Sequence, residues 1–137
     1  IKINGAKNQL FDTKRVLQKL IDFATEEGFK IDRLEYNFVD SEKMYSLNKD
    51  FLNHDTDTDI ITFDYSKSKT IIAEVFISRE MMIKNASDNT QSIENESFRL
   101  LSHGLLHCMG YKDNTLEEKA IMRKKEEEFI FAVSRET

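Results

Sequence analysis

Two polar-apolar rhythms divide this chain, one of period two and one of period 3.6. DIITFDY (59 to 65) and TIIAEVFIS (70 to 78) are β-branched and aromatic, and SKSK between them suits a hairpin turn, so two antiparallel strands are expected there. Leu34, Tyr36 and Phe38 alternate with Arg33, Glu35 and Asn37, which predicts a half-buried strand reaching about Asp40, and Ile1 to Ile3 forms a short edge strand. The longer period begins after Asp12, a good helix cap, where Val16, Leu17, Leu20, Ile21 and Ala24 recur on one face until Gly28 closes the helix. A short helix follows Ser41 and turns Met44, Tyr45, Leu47 and Phe51 inward. Ser78 caps a helix through the Met81 region, and Ser92 caps a long one. Thr115 with Glu118 spells a capping box for the last helix, whose buried stripe reads Ile121, Met122, Phe129 and Ile130. The expected fold is α+β: about four strands in a mixed sheet with helices packed on it, the first three helices interleaved with strands and the last ones consecutive. The 137 residues suffice for one domain, 1–137, with a proper core.

Charge narrows the choice of partners. With 20 basic and 25 acidic residues the formal charge is −5, which argues against broad electrostatic capture of nucleic acid and leaves room only for a local basic groove. Lys14, Arg15 and Lys19, then Lys67 and Lys69, then Arg123, Lys124 and Lys125 are the basic groups, each first read as a solvated face. The single cysteine, Cys108, excludes an internal disulfide and reads as a small core residue, which suits a reducing compartment. No basic, apolar leader opens the sequence and its apolar runs fall far short of a membrane span, so a soluble cytoplasmic protein is expected.

HGLLHCMGYKD (103 to 113) is where chemistry enters. His103 and His107 stand four apart, on one helix face about a turn from each other, so both imidazoles reach one point. Gly110 offers a left-handed helix end that folds the chain back and brings the Asp113 carboxylate to the same point. Two nitrogens and one oxygen describe a three-ligand zinc site with an open fourth position, one ion per chain. A hydrogen-bonded core histidine pair is the competing reading, since the surrounding Leu100, Leu101, Leu105, Leu106 and Met109 make the helix a buried one. Gly104 stands where the HExxH pattern has its glutamate, so that motif is not met. Asp55, Asp57 and Asp59 alternate in a polar loop but lack the glycine and terminal glutamate of a calcium hand, and read as caps and turns. His54 reads as an exposed loop histidine, and Glu74 either faces the site or faces water.

Three blocks together resemble the YbeY family of bacterial metal-dependent endoribonucleases. LNKDFLNHDTDTDIITF (47 to 63) is similar to the family's LNxxYR…TDVLSF, IAEVFIS (72 to 78) to its GDIxIS strand, and HGLLHCMGYKD with Met122 and Glu126 to HGxLHLxGYDH followed by MxxxE. The family's third histidine falls on Asp113, so the ligand set carried over is His103, His107 and Asp113. Its characteristic arginine falls on Leu52, with Lys49 and His54 as the nearest groups able to replace it. The resemblance implies a zincin-like fold and a single-strand-specific endoribonuclease acting in 16S rRNA 3′ end maturation and ribosome quality control, with single-stranded RNA, ribosomal RNA or the small ribosomal subunit as partners. The alternatives are a metallohydrolase of another substrate such as a peptide, and a non-catalytic ribosome-associated module with a structural metal.

Overall fold

Ile71, Ala73, Val75 and Ile77 alternate with Ile72, Glu74 and Phe76, and the face carrying the first four organises everything packed around it. The computed structural model describes residues 1–5, 11–52 and 58–134, of which the side chains of 51 and 52 are left aside. Its elements run β1 (Lys2–Asn4), α1 (Thr13–Glu26), β2 (Lys30–Val39), α2 (Ser41–Leu52), β3 (Ile60–Asp64), β4 (Thr70–Ser78), α3 (Arg79–Asp88), α4 (Ile93–Cys108) and α5 (Leu116–Ser134). The four strands form one mixed sheet in the order β1-β2-β4-β3. β1, β2 and β4 are parallel, and β3 pairs antiparallel with β4.

The hairpin turns as expected. Ser68 and Lys69 carry φ of 47° and 68°, and Lys67 and Thr70 exchange backbone hydrogen bonds of 3.0 and 2.8 Å. Two central residues with positive φ make a turn whose twist matches that of the strands, here without the usual glycine. One expectation is corrected: two helices, α1 and α2, interleave with strands rather than three. Ser78 ends β4 and also caps α3, accepting from the Met81 N–H at 3.1 Å, so α3, α4 and α5 follow in unbroken succession.

α4 is the core helix. Leu100, Leu101, Leu105 and Leu106 have no exposed surface, and each contributes roughly 1.5–3 kcal/mol through burial. The Tyr36 hydroxyl donates to the Leu101 carbonyl at 2.7 Å, tying β2 to this helix. Gly104 brings α4 close to the sheet, since a Cβ there would lie 3.2 Å from both Val75 methyls. Position 104 therefore faces β4, and no side chain could serve from it as a base in the cavity described below.

The opposite face of the sheet is covered at one end by α2, through Met44, Leu47 and Ile61 with Val39, Phe63 and Phe76 around them. Tyr45, Ile21 and Ile121, expected inside, are exposed at 41%, 40% and 47%. Each stands next to a residue that holds the inward position, Met44, Leu20 and Met122, and an adjacent side chain points about 100° away. Among the described residues no helix is long and apolar enough to cross a membrane.

Candidate metal centre

α4 starts at Ser92, whose hydroxyl accepts from the Asn95 N–H at 3.0 Å, and it ends in a glycine turn. Gly110 takes φ +97°, the Gly110 N–H donates to His107 O at 3.1 Å and the Tyr111 N–H to Leu106 O at 3.0 Å, which satisfies the last carbonyls and reverses the chain. The reversal returns Asp113 to the helix. His103 Nε2 lies 3.1 Å from His107 Nε2 and 3.5 Å from Asp113 Oδ2, and the three offer ligand atoms all within 4.8 Å of one another. They line a cavity of about 570 Å³ whose other wall comes from Thr58, Asp59 and the β3 residues Ile60, Thr62 and Asp64.

The hydrogen bonds decide what the two imidazoles present to that cavity. His107 Nδ1 is 3.1 Å from the Tyr111 carbonyl oxygen, which can only accept, so Nδ1 carries the proton and donates. His103 Nδ1 is 2.6 Å from Glu126 Oε2, and an ionised carboxylate likewise only accepts. With both imidazoles neutral, the two Nε2 atoms are lone-pair acceptors aimed at each other beside a carboxylate oxygen: three acceptors and no donor. Such a convergence is repulsive unless a cation or proton sits among them. Two nitrogens each about 2.0 Å from a tetrahedral zinc stand roughly 3.3 Å apart, so the 3.1 Å separation fits a shared ion. The donor chemistry fits as well; a hydrogen-bonded core pair would need His103 to carry a proton on both ring nitrogens.

Behind His103 lies a buried ionic chain absent from the sequence reading. Glu126 of α5 is 3% exposed and its second oxygen stands 3.7 Å from Arg99 Nη1. Arg99 donates from Nε to Glu96 at 3.0 and 3.1 Å and from Nη2 at 2.5 Å, and Nη2 also reaches Asp59 Oδ2 at 3.5 Å. Burial opposes the Arg99 charge, but hydrogen-bonded Glu96, then Glu126 and Asp59, more than offset it and hold its pKa above the usual value. Asp59, read from sequence as a cap or turn residue, instead pairs with Arg99 and accepts from Asn85 Nδ2 at 3.0 Å, on the wall of the cavity. The signal for Glu126 was present: with Met122, Phe129 and Val133 it occupies the buried stripe of α5, where a carboxylate needs a partner.

The comparisons with known proteins bear on the same residues. The sequence matches the family described as Endoribonuclease YbeY over residues 2–134. The chain belongs to that family. The Endoribonuclease YbeY of Cytophaga hutchinsonii is 42% identical over 87% of this chain and 84% of its own length. That of Flavobacterium johnsoniae is 44% identical over 71% of this chain and 70% of its own. In fold, the solution structure of TM1509 from Thermotoga maritima is similar with a TM-score of 0.70 at 21% identity, covering 96% of this chain and 87% of that one.

Within this YbeY-family chain the remaining candidates separate cleanly. Glu74 lies opposite Glu35 and Phe63 on the sheet face turned away from the histidines, and Glu117 is exposed on α5 outside the cluster. His54, Asp55 and Asp57 fall outside the described residues, as does the Leu52 side chain. Lys49 is exposed and does not line the cavity. Lys69 stacks over Phe29 at 4.3 Å, Arg15 donates to Val133 O at 3.0 Å and Lys125 pairs with Glu27 at 3.3 Å, so three of the basic groups serve the fold. Burial pushes the Cys108 thiol up to about 12, with Asp64 adding to the shift, which leaves it an inert core residue at neutral pH.

His107 titrates below the usual 6.5, first because burial disfavours its charged form and second because His103 adjoins it. A depressed histidine pKa means that the folded protein binds fewer protons than the unfolded chain between the two values. Stability is therefore fully present above the ordinary 6.5 and is lost as pH falls through it toward the lowered value. The urea midpoint of metal-free protein should be higher at about pH 7.5 than at about pH 5.5, and His107→Gln should flatten that difference.

Proposed function

We propose that this chain is a zinc-dependent endoribonuclease that cuts single-stranded RNA at the centre formed by His103, His107 and Asp113, acting as a single metallohydrolase domain in the cytoplasm. The observation that carries the metal is the meeting of two histidine Nε2 atoms and a carboxylate at one point of an open cavity. A zinc held there would polarise a phosphoryl oxygen and make water a competent nucleophile near neutral pH. The chain's own residues do the rest. Glu126 keeps His103 in the tautomer that presents Nε2, as the Tyr111 carbonyl does for His107. Arg99 is the one lysine or arginine lining the cavity among the described residues, and it offsets part of the negative charge that Asp59, Glu96 and Glu126 would turn toward a phosphodiester. Thr62, on the β3 wall, offers a hydroxyl to a substrate oxygen. A cavity of about 570 Å³ admits an unpaired nucleotide and excludes a duplex, and the net charge of −5 suits recognition by a cleft rather than by a broad surface. Family membership is what supports ribosomal RNA as the substrate, in 16S rRNA 3′ end maturation and ribosome quality control, with the small ribosomal subunit as the partner.

Protein stripped with chelator and reloaded with one equivalent of zinc should cleave a single-stranded oligoribonucleotide and spare the matching duplex. Chelator should abolish cleavage. Binding should weaken with salt at a log-log slope of about −0.7 per phosphate contact. Cleavage that persists in chelator, or peptide hydrolysis without RNA cleavage, would overturn the reading.

A further inference from the structure

Asp113 is the ligand with the least backbone support. Its turn is held before it by the Tyr111 N–H donating to Leu106 O at 3.0 Å, and after it by the N–H groups of Asn114 and Thr115, which both donate to Glu118 Oε1 at 3.0 Å. Between these points Lys112 and Asp113 make no backbone hydrogen bond among the described residues. The path of the segment that presents the carboxylate is therefore set in large part at Tyr111.

Tyr111 is tied down through its side chain as well as its backbone. Its carbonyl accepts from His107 Nδ1 at 3.1 Å, so the residue that launches the Asp113 segment also orients the second imidazole. Its hydroxyl donates to Glu27, lying 2.8 and 2.9 Å from the two carboxylate oxygens. Glu27 caps the C-terminal end of α1, 84 positions away, where Gly28 at φ +82° turns the chain. Lys125 Nζ stands 3.3 Å from Glu27 Oε2, and the two side chains keep only 31% and 22% of their surface exposed. The neighbour of Lys125 on α5 is Glu126, which holds His103 Nδ1 at 2.6 Å. Adjacent residues of a helix point about 100° apart, so α5 reaches His103 directly through one of them and the His107 side of the site through the other, by way of Glu27 and Tyr111.

We propose that Glu27 is a positioning residue for the metal centre: by holding the Tyr111 hydroxyl it fixes the carbonyl that orients His107 and the segment that carries Asp113; this rests on His103, His107 and Asp113 being the ligand set. Glu27 touches neither a ligand side chain nor the cavity. It acts by preorganisation. A ligand segment already fixed in place loses less conformational freedom when a metal binds, and groups that orient ligands from behind tune affinity for that reason.

The test measures zinc affinity of the full chain by competition with a chelator of known affinity, with the urea midpoint of each metal-free protein alongside it. Tyr111→Phe and Glu27→Ala should each weaken zinc binding about tenfold, the lower end of what losing an orienting partner costs. Because both remove one and the same contact, the double variant should bind zinc as either single variant does. Glu27→Gln keeps an oxygen that accepts from the hydroxyl and should recover most of the affinity. A lowered urea midpoint with parent-like zinc affinity in Tyr111→Phe and Glu27→Ala would reduce the contact to a structural one and overturn the proposal. So would a double variant whose loss is the product of the two single losses. A parent that binds no zinc would sink the metal centre itself, whereas a parent that binds it beside variants that bind equally well sinks only the positioning role.

Discussion

His103→Ala and His107→Ala should each leave the purified protein without zinc. In zinc-finger peptides a binding free energy of about 10–16 kcal/mol is spread over four ligands, so one ligand carries on the order of 3–4 kcal/mol, or a factor of about 10² to 10³ in affinity. With only the three protein ligands proposed here, losing one imidazole would leave a nitrogen and an oxygen, too few to compete with a chelating buffer. Asp113→Ala should weaken binding by a similar factor. Asp113→His should hold the metal, because an imidazole at that position is also an acceptable zinc ligand. The fold should survive His107→Ala better than His103→Ala, since the latter strips a buried Glu126 of its hydrogen bond. Metal content by mass spectrometry, with circular dichroism on the same samples, separates lost binding from lost folding. A full equivalent of zinc in both histidine variants would place the site elsewhere.

Glu126→Ala should be the most disruptive change away from the ligands themselves. It removes the acceptor of the 2.6 Å bond from His103 Nδ1, where both groups are buried, and one counter-ion of the partly buried Arg99. Arg99 keeps Glu96 and Asp59 as counter-ions, so the loss of stability comes mainly from the buried His103 Nδ1–H left without an acceptor, about 1–3 kcal/mol. Without its partner His103 is free to take the other tautomer or to rotate, and loss of such an orienting group weakens metal binding about 10- to 100-fold. Glu126→Gln keeps a side-chain oxygen that can accept from Nδ1–H but loses the charge, so it should retain most of the stability and show the smaller share of the affinity loss. Urea denaturation and zinc titration of the two variants read these effects separately. Unchanged zinc affinity in Glu126→Ala would remove the positioning role.

The parts of the molecule legible from sequence are those governed by local rules. Ser78 and Ser92 cap helices, Glu118 and Thr115 exchange the capping-box bonds at 3.0 Å each, and Gly28 and Gly110 take positive φ just past their helices. Each depends on neighbours within four residues. The histidine pair was legible for the same reason, and Asp113 because a glycine turn has few ways to run. Tertiary partners were not. Nothing within α4 says that Arg99 meets Glu126, 27 positions on, or Asp59, 40 positions back. The side of α2 and α5 on which a single residue falls was also out of reach: Tyr45 and Ile121 are apolar neighbours of inward residues, and only the packing against β4 and α4 decides which of two adjacent side chains is covered.

The measurement that bears most directly on the metal centre is the X-ray absorption spectrum of zinc bound at one equivalent to the intact protein. The ligand set His103, His107 and Asp113 predicts two imidazole nitrogens together with oxygen neighbours, all at about 2.0–2.1 Å. A sulfur neighbour at about 2.3 Å, which only Cys108 or a methionine could supply, or a shell without imidazole scattering, would contradict it.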